Sequence, residues 1–202
     1  MAQSITDNIF KKISGGGRGL VYTTKDFLAF GSRDAVDQGL CRLYQKGLIR
    51  RLKPGIYDFP RINDKLGGEL SPNIENVAYA IARKNNIRIM ISGALAANKL
   101  GLSTQVPAQK IFLTDGPNRK VKIGNFILVF RHVAPKRMTL CGKKSEVILQ
   151  ALDHIGKDHI TDDMIKKIRD MLTSQQKDQL MKDVVSASQW LNEIVNHIVE
   201  EK

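Results

Sequence analysis

Residues 32–60 read SRDAVDQGLCRLYQKGLIRRLKPGIYDFP. Ser32 is a predicted N-cap for a helix that ends at Gly47. Leu48–Leu52 and Ile56–Phe59 then read as strands around a Lys53-Pro54-Gly55 turn. This is the order of a recognition helix followed by a β-wing. At about 100° per residue, Val36, Leu40, Leu43 and Tyr44 gather on a packing side, while Asp34, Gln38, Arg42 and Gln45 fall opposite. Ser32 and Arg33 stand at the helix start, within reach of a phosphate or base edge. Gln pairs with adenine, Arg pairs with guanine, and Asp accepts from cytosine N4. Arg50 and Arg51 straddle the two faces of a strand, and Lys53 lies near the hairpin tip. Phe27, Phe30, Leu48 and Ile49 are predicted core residues. The candidate DNA-binding set is therefore Ser32, Arg33, Asp34, Gln38, Arg42, Gln45, Arg50, Arg51 and Lys53. Two alternatives stand beside it: a merely solvated helix face, and a winged helix used for protein contacts.

Upstream of this stretch, Ile5, Ile9 and Ile13 form one helical stripe from Ser4, ended by Gly15-Gly16-Gly17. That glycine run lacks the Gly-Lys-Ser/Thr ending of a phosphate-binding loop, so it reads as a helix terminator. Arg18–Tyr22 reads as extended, and Thr23 opens a second helix with Asp26 as its capping-box partner. Residues 1–62 are thus predicted to form a winged helix-turn-helix, and residues 63–70 a polar linker. Residues 71–202 are predicted as a second domain, mixed α/β over 71–140 and helical over 141–202. Ser71-Pro72 opens its first helix, and Ser92 caps a small-residue helix ending at Gly101. Lys110–Thr114, Lys120–Ile123 and Phe126–His132 read as strands, the last two joined at Gly124-Asn125. Helices follow over Ser145–Ile155, from Thr161, and over Gln175–Glu200 with a break near Ser186–Ser188. The predicted fold class is α+β.

The formal net charge is +12. It is distributed as +5 over residues 1–60, +9 over 61–140 and −2 over 141–202. The basic surface therefore belongs to the first two-thirds, which points to a polyanionic partner. Arg119, Lys120, Lys122 and Arg131, with Lys136 and Arg137, suggest a second basic surface. It reads equally well as a solvated sheet face. Cys41 and Cys141 lie in different segments, outside any CxxC or zinc-ligand spacing, and a reducing cytoplasm fits them. No signal peptide and no run of about 18 apolar residues is present, so no membrane partner is expected.

No Walker loop, HExxH, GxSxG or paired-carboxylate motif occurs, and the four histidines are scattered. No metal, cofactor or enzymatic activity is expected. Thr114–Lys120 (TDGPNRK) admits a catalytic reading, with Asp115 as acid and Arg119 as anion clamp. An ordinary β-turn is the simpler reading.

KGLIRRLKPGIYDFP, together with ISGALAANKLGL from Ile91 and KIFLTDGPNRKVKIGNFILVFRHV from Lys110, resembles AbiEi-like antitoxins of type IV toxin-antitoxin systems. The nearest group is the short, AbiEi-related, DUF6088-like proteins, and the resemblance covers roughly residues 1–140. It implies a bacterial, abortive-infection-type antitoxin whose winged helix represses its own operon at promoter repeats. It also implies a C-terminal domain that counters a nucleotidyltransferase-like toxin, with or without stable binding. By position, the implied DNA contacts are Ser32, Arg33, Gln38, Arg42, Arg50 and Arg51. The Lys53-Pro54-Gly55 turn departs from the Arg-Gly pair common at this place in the family. Alternatives are a solitary winged-helix transcription regulator and a module that binds the toxin directly.

Overall fold

The computed structural model describes residues 4–134, 138 and 142–200, with Leu66 described by its backbone. The expectations placed on Lys136, Arg137 and Cys141 lie outside these residues. The protein is a mixed α+β chain that divides into two compact units. One comprises residues 1–89 with 120–128; the other comprises 90–119 with 129–202. The expected boundary after residue 62 falls inside the first unit.

The first unit begins with α1 (Ile5–Gly16), whose N-terminus carries a reciprocal Ser4–Asp7 capping box. Ile9 and Ile13 from its apolar stripe are fully buried. β1 (Val21–Thr23) leads into a 3-10 helix, Thr24–Phe30, capped by the Thr23–Asp26 box. The expected second helix is thus a 3-10 turn. Its three-residue repeat stacks Phe27 over Phe30 on one side, with ring centroids 6.4 Å apart. α2 (Arg33–Gln45) starts where the Ser32 hydroxyl accepts from Ala35 N. Val36, Leu40 and Leu43 bury against Ile9, Ile13 and Phe27. β2 (Arg50–Lys53) and β3 (Ile56–Asp58) form a hairpin, and the antiparallel sheet has the order β1-β3-β2. Gly55 takes the left-handed conformation at the hairpin tip, φ 68°.

Two predicted core positions are corrected. Tyr44 is 46% exposed because it lies one helical step beyond the Leu40–Leu43 arc, and its amphipathic ring tolerates that edge. Leu48 is 38% exposed while Ile49 is buried: successive residues leaving Gly47 point to opposite sides, and only one side meets the core.

The predicted linker is also structured. β4 (Ile62–Asn63) and β5 (Gly68–Glu69) pair antiparallel around a short 3-10 turn, Asp64–Leu66. The Asn63 side chain accepts from Lys65 N, and Gly67 ends the turn at φ 82°. The helix that follows, α3 (Ile74–Asn85), is capped by Asn73 accepting from Asn76 N, so Ser71 and Pro72 precede it. α3 is fixed to the first strands by long-range bonds. Asn76 Nδ2 donates to Gly19 O (2.9 Å), and Arg83 donates to Val21 O (2.9 Å) and to both oxygens of Asp26 (3.2 Å each).

In the second part of the chain, β6 (Ile89–Ile91) precedes α4 (Gly93–Lys99), and Gly101 closes that turn at φ 63°. β7 (Lys110–Thr114), β8 (Arg119–Ile123) and β9 (Phe126–His132) follow, and the sheet order is β6-β7-β9-β8. Gly124 makes the expected tight turn at φ 54°. Among the described residues four α-helices follow, α5 (Lys143–Ile155), α6 (Asp162–Asp170), α7 (Ser174–Val184) and α8 (Gln189–Val199), with a 3-10 turn, Lys157–His159, between the first two. The expected interruption falls between α7 and α8. Ile148, Leu152, Ile168, Leu180, Val195 and Ile198 form the centre of this helical core.

The N-cap of α5 is Gly142, which has no side chain with which to cap the helix. The Asp183 carboxylate of α7 takes that role, accepting from Gly142 N (2.9 Å) and Gln179 Nε2 (2.8 Å). Burial pushes the Asp183 carboxyl up. Hydrogen bonds from Ser145, Gly142 N and Gln179 together outweigh it and hold the group below its ordinary value. Among the described residues, no helix is long and apolar enough to cross a membrane.

Candidate nucleic-acid interface

α2 presents one polar face outward. Asp34, Gln38, Arg42 and Gln45 are all exposed. Gln38, Arg42 and Gln45 form no side-chain hydrogen bond or ion pair among the described residues, so their donors and acceptors are free to meet an outside partner. Asp34 lies in the first turn, where a carboxylate favours the positive helix end. The Ser32 oxygen is engaged as the cap (3.4 Å to Ala35 N). Arg33 is 75% exposed and lies 3.8 Å from Asp37, a loose surface pair of little energetic weight.

The two adjacent arginines of β2 have different environments. Arg51 is exposed and meets no carboxylate among the described residues. Arg50, expected at the phosphate edge, is engaged within the protein. Its Nε and Nη2 donate to the two oxygens of Asp58 at 3.0 and 2.6 Å. Further donation goes to Glu69 (3.3 Å) and to Leu70 O (3.1 Å). Asp58 is 1% exposed, so its charge needs this bidentate partner. The Asp58 hydrogen bond, opposed by burial, raises the Arg50 pKa above its ordinary value. The cue in the sequence was the lone acid within Ile56-Tyr57-Asp58-Phe59. A strand that carries one buried carboxylate has a cation directed at it.

Lys53 is half-buried beyond a register irregularity in β2, between Arg51 and Lys53. A β-bulge at this place re-aims side chains near the hairpin tip.

A groove of about 480 Å3 opens beside α2, between its N-terminal half, the 3-10 helix and the hairpin tip. Four cationic side chains line it, Lys25, Arg33, Arg51 and Lys84, against one carboxylate, Asp37. Asp37 is already engaged, accepting from Thr24 Oγ1 at 2.8 Å. Burial pushes the Tyr57 hydroxyl pKa up, and nearby Arg51 opposes that shift. Sequence reasoning missed Lys25 and Lys84. Lys84 reaches the tip from α3, thirty residues along the chain from Pro54, and no local pattern announces such a contact. Cys41 is exposed at the groove as a free thiol.

Of the second basic set, Lys120 and Lys122 are on the exposed side of β8, where Val121 and Ile123 alternate inward. Arg119 is exposed at the start of that strand, and Arg131 is exposed on β9. The Asp115 loop is tied down as a turn. Thr114 Oγ1 accepts from Gly116 N (3.0 Å), Asn118 Oδ1 accepts from His132 N (2.7 Å), and His132 Nδ1 lies 2.9 Å from Gly116 O. Among the described residues, no three His, Cys, Asp or Glu side chains gather as metal ligands would.

No curated protein matches the chain. The crystal structure of the RV2827C protein from Mycobacterium tuberculosis aligns at a TM-score of 0.41 and 12% identity, over 95% of this chain and 76% of that one. A family model matches residues 8–180, nearly the whole sequence. The chain therefore belongs to the family of unknown function DUF6088.

Proposed function

We propose that the first unit is a winged helix-turn-helix that binds double-stranded DNA, with α2 as the recognition helix and the β2–β3 hairpin as the wing. The observation that carries this reading is the pairing of two surfaces. One is the unpartnered face of Gln38, Arg42 and Gln45; the other is the groove whose four cations face one engaged carboxylate. Amide and guanidinium groups read base edges in a major groove, and clustered cations neutralise backbone phosphates. The opposed α1 and 3-10 helix supply the apolar support that holds α2 rigid, as a reading helix needs. The role is a non-enzymatic one in the cytoplasm. By the AbiEi resemblance, the chain is an antitoxin that represses its own operon and counters a nucleotidyltransferase-like toxin through its second part.

Fluorescence anisotropy with duplexes from the region upstream of the gene tests the reading. Salt-sensitive binding with preference for one repeat is expected. Arg42→Ala should weaken specific binding by about 1–3 kcal/mol and relax preference at one base position. If that variant keeps both full affinity and full preference, α2 is not the reading helix. A gene encoding a nucleotidyltransferase-like protein beside this one, toxic alone and harmless when co-expressed, would support the antitoxin role.

A further inference from the structure

Lys25 and Lys84 belong neither to the recognition helix nor to the wing, yet both line the groove between them. The convergence at the tip is close. A methyl group on Gly55 would lie 3.2 Å from Lys84 Nζ and 3.6 Å from Thr24 Oγ1. Lys84 Nζ donates to Pro54 O at 2.6 Å, and Lys25 Nζ donates to Asn86 Oδ1 at 2.9 Å. Both acceptors are neutral. Each ammonium is therefore oriented by one bond while keeping its full charge and its remaining donors. Arg51 meets no carboxylate among the described residues, and the single acid in the lining is shared between Thr24 and Arg33. A concave site with excess positive charge and spare N–H donors on several elements fits a phosphoryl anion.

From this geometry we infer that the groove seats a backbone phosphate of the bound duplex, held by Lys25 from the 3-10 helix and Lys84 from α3. The inference rests on the DNA-binding reading and extends it: α3 becomes part of the DNA-binding module. The phosphate lies beside α2 and next to the wing tip. It therefore positions the recognition helix along the groove without reading sequence. Lys84 has a second role through Pro54, holding the tip at the edge of the same site.

The full-length chain is titrated with two labelled duplexes, one carrying the upstream repeat and one of unrelated sequence, over a series of salt concentrations. Lys25→Gln and Lys84→Gln should each weaken binding to both duplexes alike and reduce the magnitude of the slope of log affinity against log salt, the double variant by about 0.9 in all. Lys84→Arg keeps the charge and should keep the slope. Unchanged slopes in both Gln variants, with the unaltered chain still binding DNA, would overturn the inference and leave the DNA reading standing. No binding of either duplex by the unaltered chain would sink the DNA reading itself. Inorganic pyrophosphate is the probe for a free phosphorylated ligand. Saturable pyrophosphate binding that both Gln variants lose, with DNA slopes unchanged, would assign the groove to a small anion instead.

Discussion

Arg50 and Arg51 are the same residue type, one peptide bond apart, yet they serve different parts of the molecule. Strand alternation turns Arg50 inward to Asp58, Glu69 and Leu70 O, and turns Arg51 outward to the open groove. On the inner side, every charge has an internal partner. On the outer side, cations outnumber carboxylates: Lys25 and Lys84 hold neutral oxygens, Arg33 pairs loosely with Asp37, and Arg51 meets no carboxylate among the described residues. A basic strand is therefore not uniformly a binding strand. The inner arginine fixes the hairpin and the segment after it, and the outer one faces the open groove.

The strongest way to break this contrast is Arg50→Ala. It leaves a nearly fully buried carboxylate unpaired and should cost about 3 kcal/mol of unfolding free energy, read from the urea midpoint. Adding Asp58→Leu to Arg50→Met should recover most of that loss, because the buried charge is then gone as well. If Arg50→Ala proves as stable as the parent, the inner side is not structural.

A carboxylate in the helical part gives a smaller effect of the same kind. Asp183→Asn removes the charged acceptor that caps α5 and should cost about 1 kcal/mol near neutral pH, reduced by its partial exposure to solvent. Its folded pKa is depressed, so the contribution is complete above the ordinary carboxylate value of about 4 and is lost as pH falls through the lower folded value. Urea midpoints of parent and variant should differ at neutral pH and converge in acid. A gap that persists at the lowest pH would remove Asp183 as its source.

Arg51→Ala should have the smallest effect on folding, within about 0.5 kcal/mol. On the proposed DNA-binding reading its effect falls on affinity: a uniform loss across sequences and a salt slope smaller in magnitude by about one. A stability loss matching that of Arg50→Ala would erase the distinction between the two sides.

The elements that were legible in the sequence are those whose causes are local. Thr23 and Ser32 announce helix starts through capping positions read from the three residues that follow. The Ile9–Ile13 and Val36–Leu40–Leu43 stripes announce buried faces through spacing alone. The outward set on α2 was legible for the same reason. What escaped depends on partners far along the chain. The direction of Arg50 is set by Asp58 and by Glu69, nineteen residues away. Lys84 enters the site only because α3 docks through Asn76 and Arg83. Residues 63–70 read as a linker because two-residue strands are too short for any periodicity to appear.

That docked helix has a practical consequence for dissecting the protein. A fragment ending at residue 62 would keep every base-reading candidate and look complete by eye. It would nevertheless strip Asp26 of its guanidinium partner, leave Arg50 without Glu69 and Leu70 O, and remove the ammonium under the hairpin tip. A minimal piece that preserves these bonds must extend through Asn86, the residue that also orients Lys25. Where the chain is cut thus decides whether a shortened protein reports on the native surface or on a damaged one.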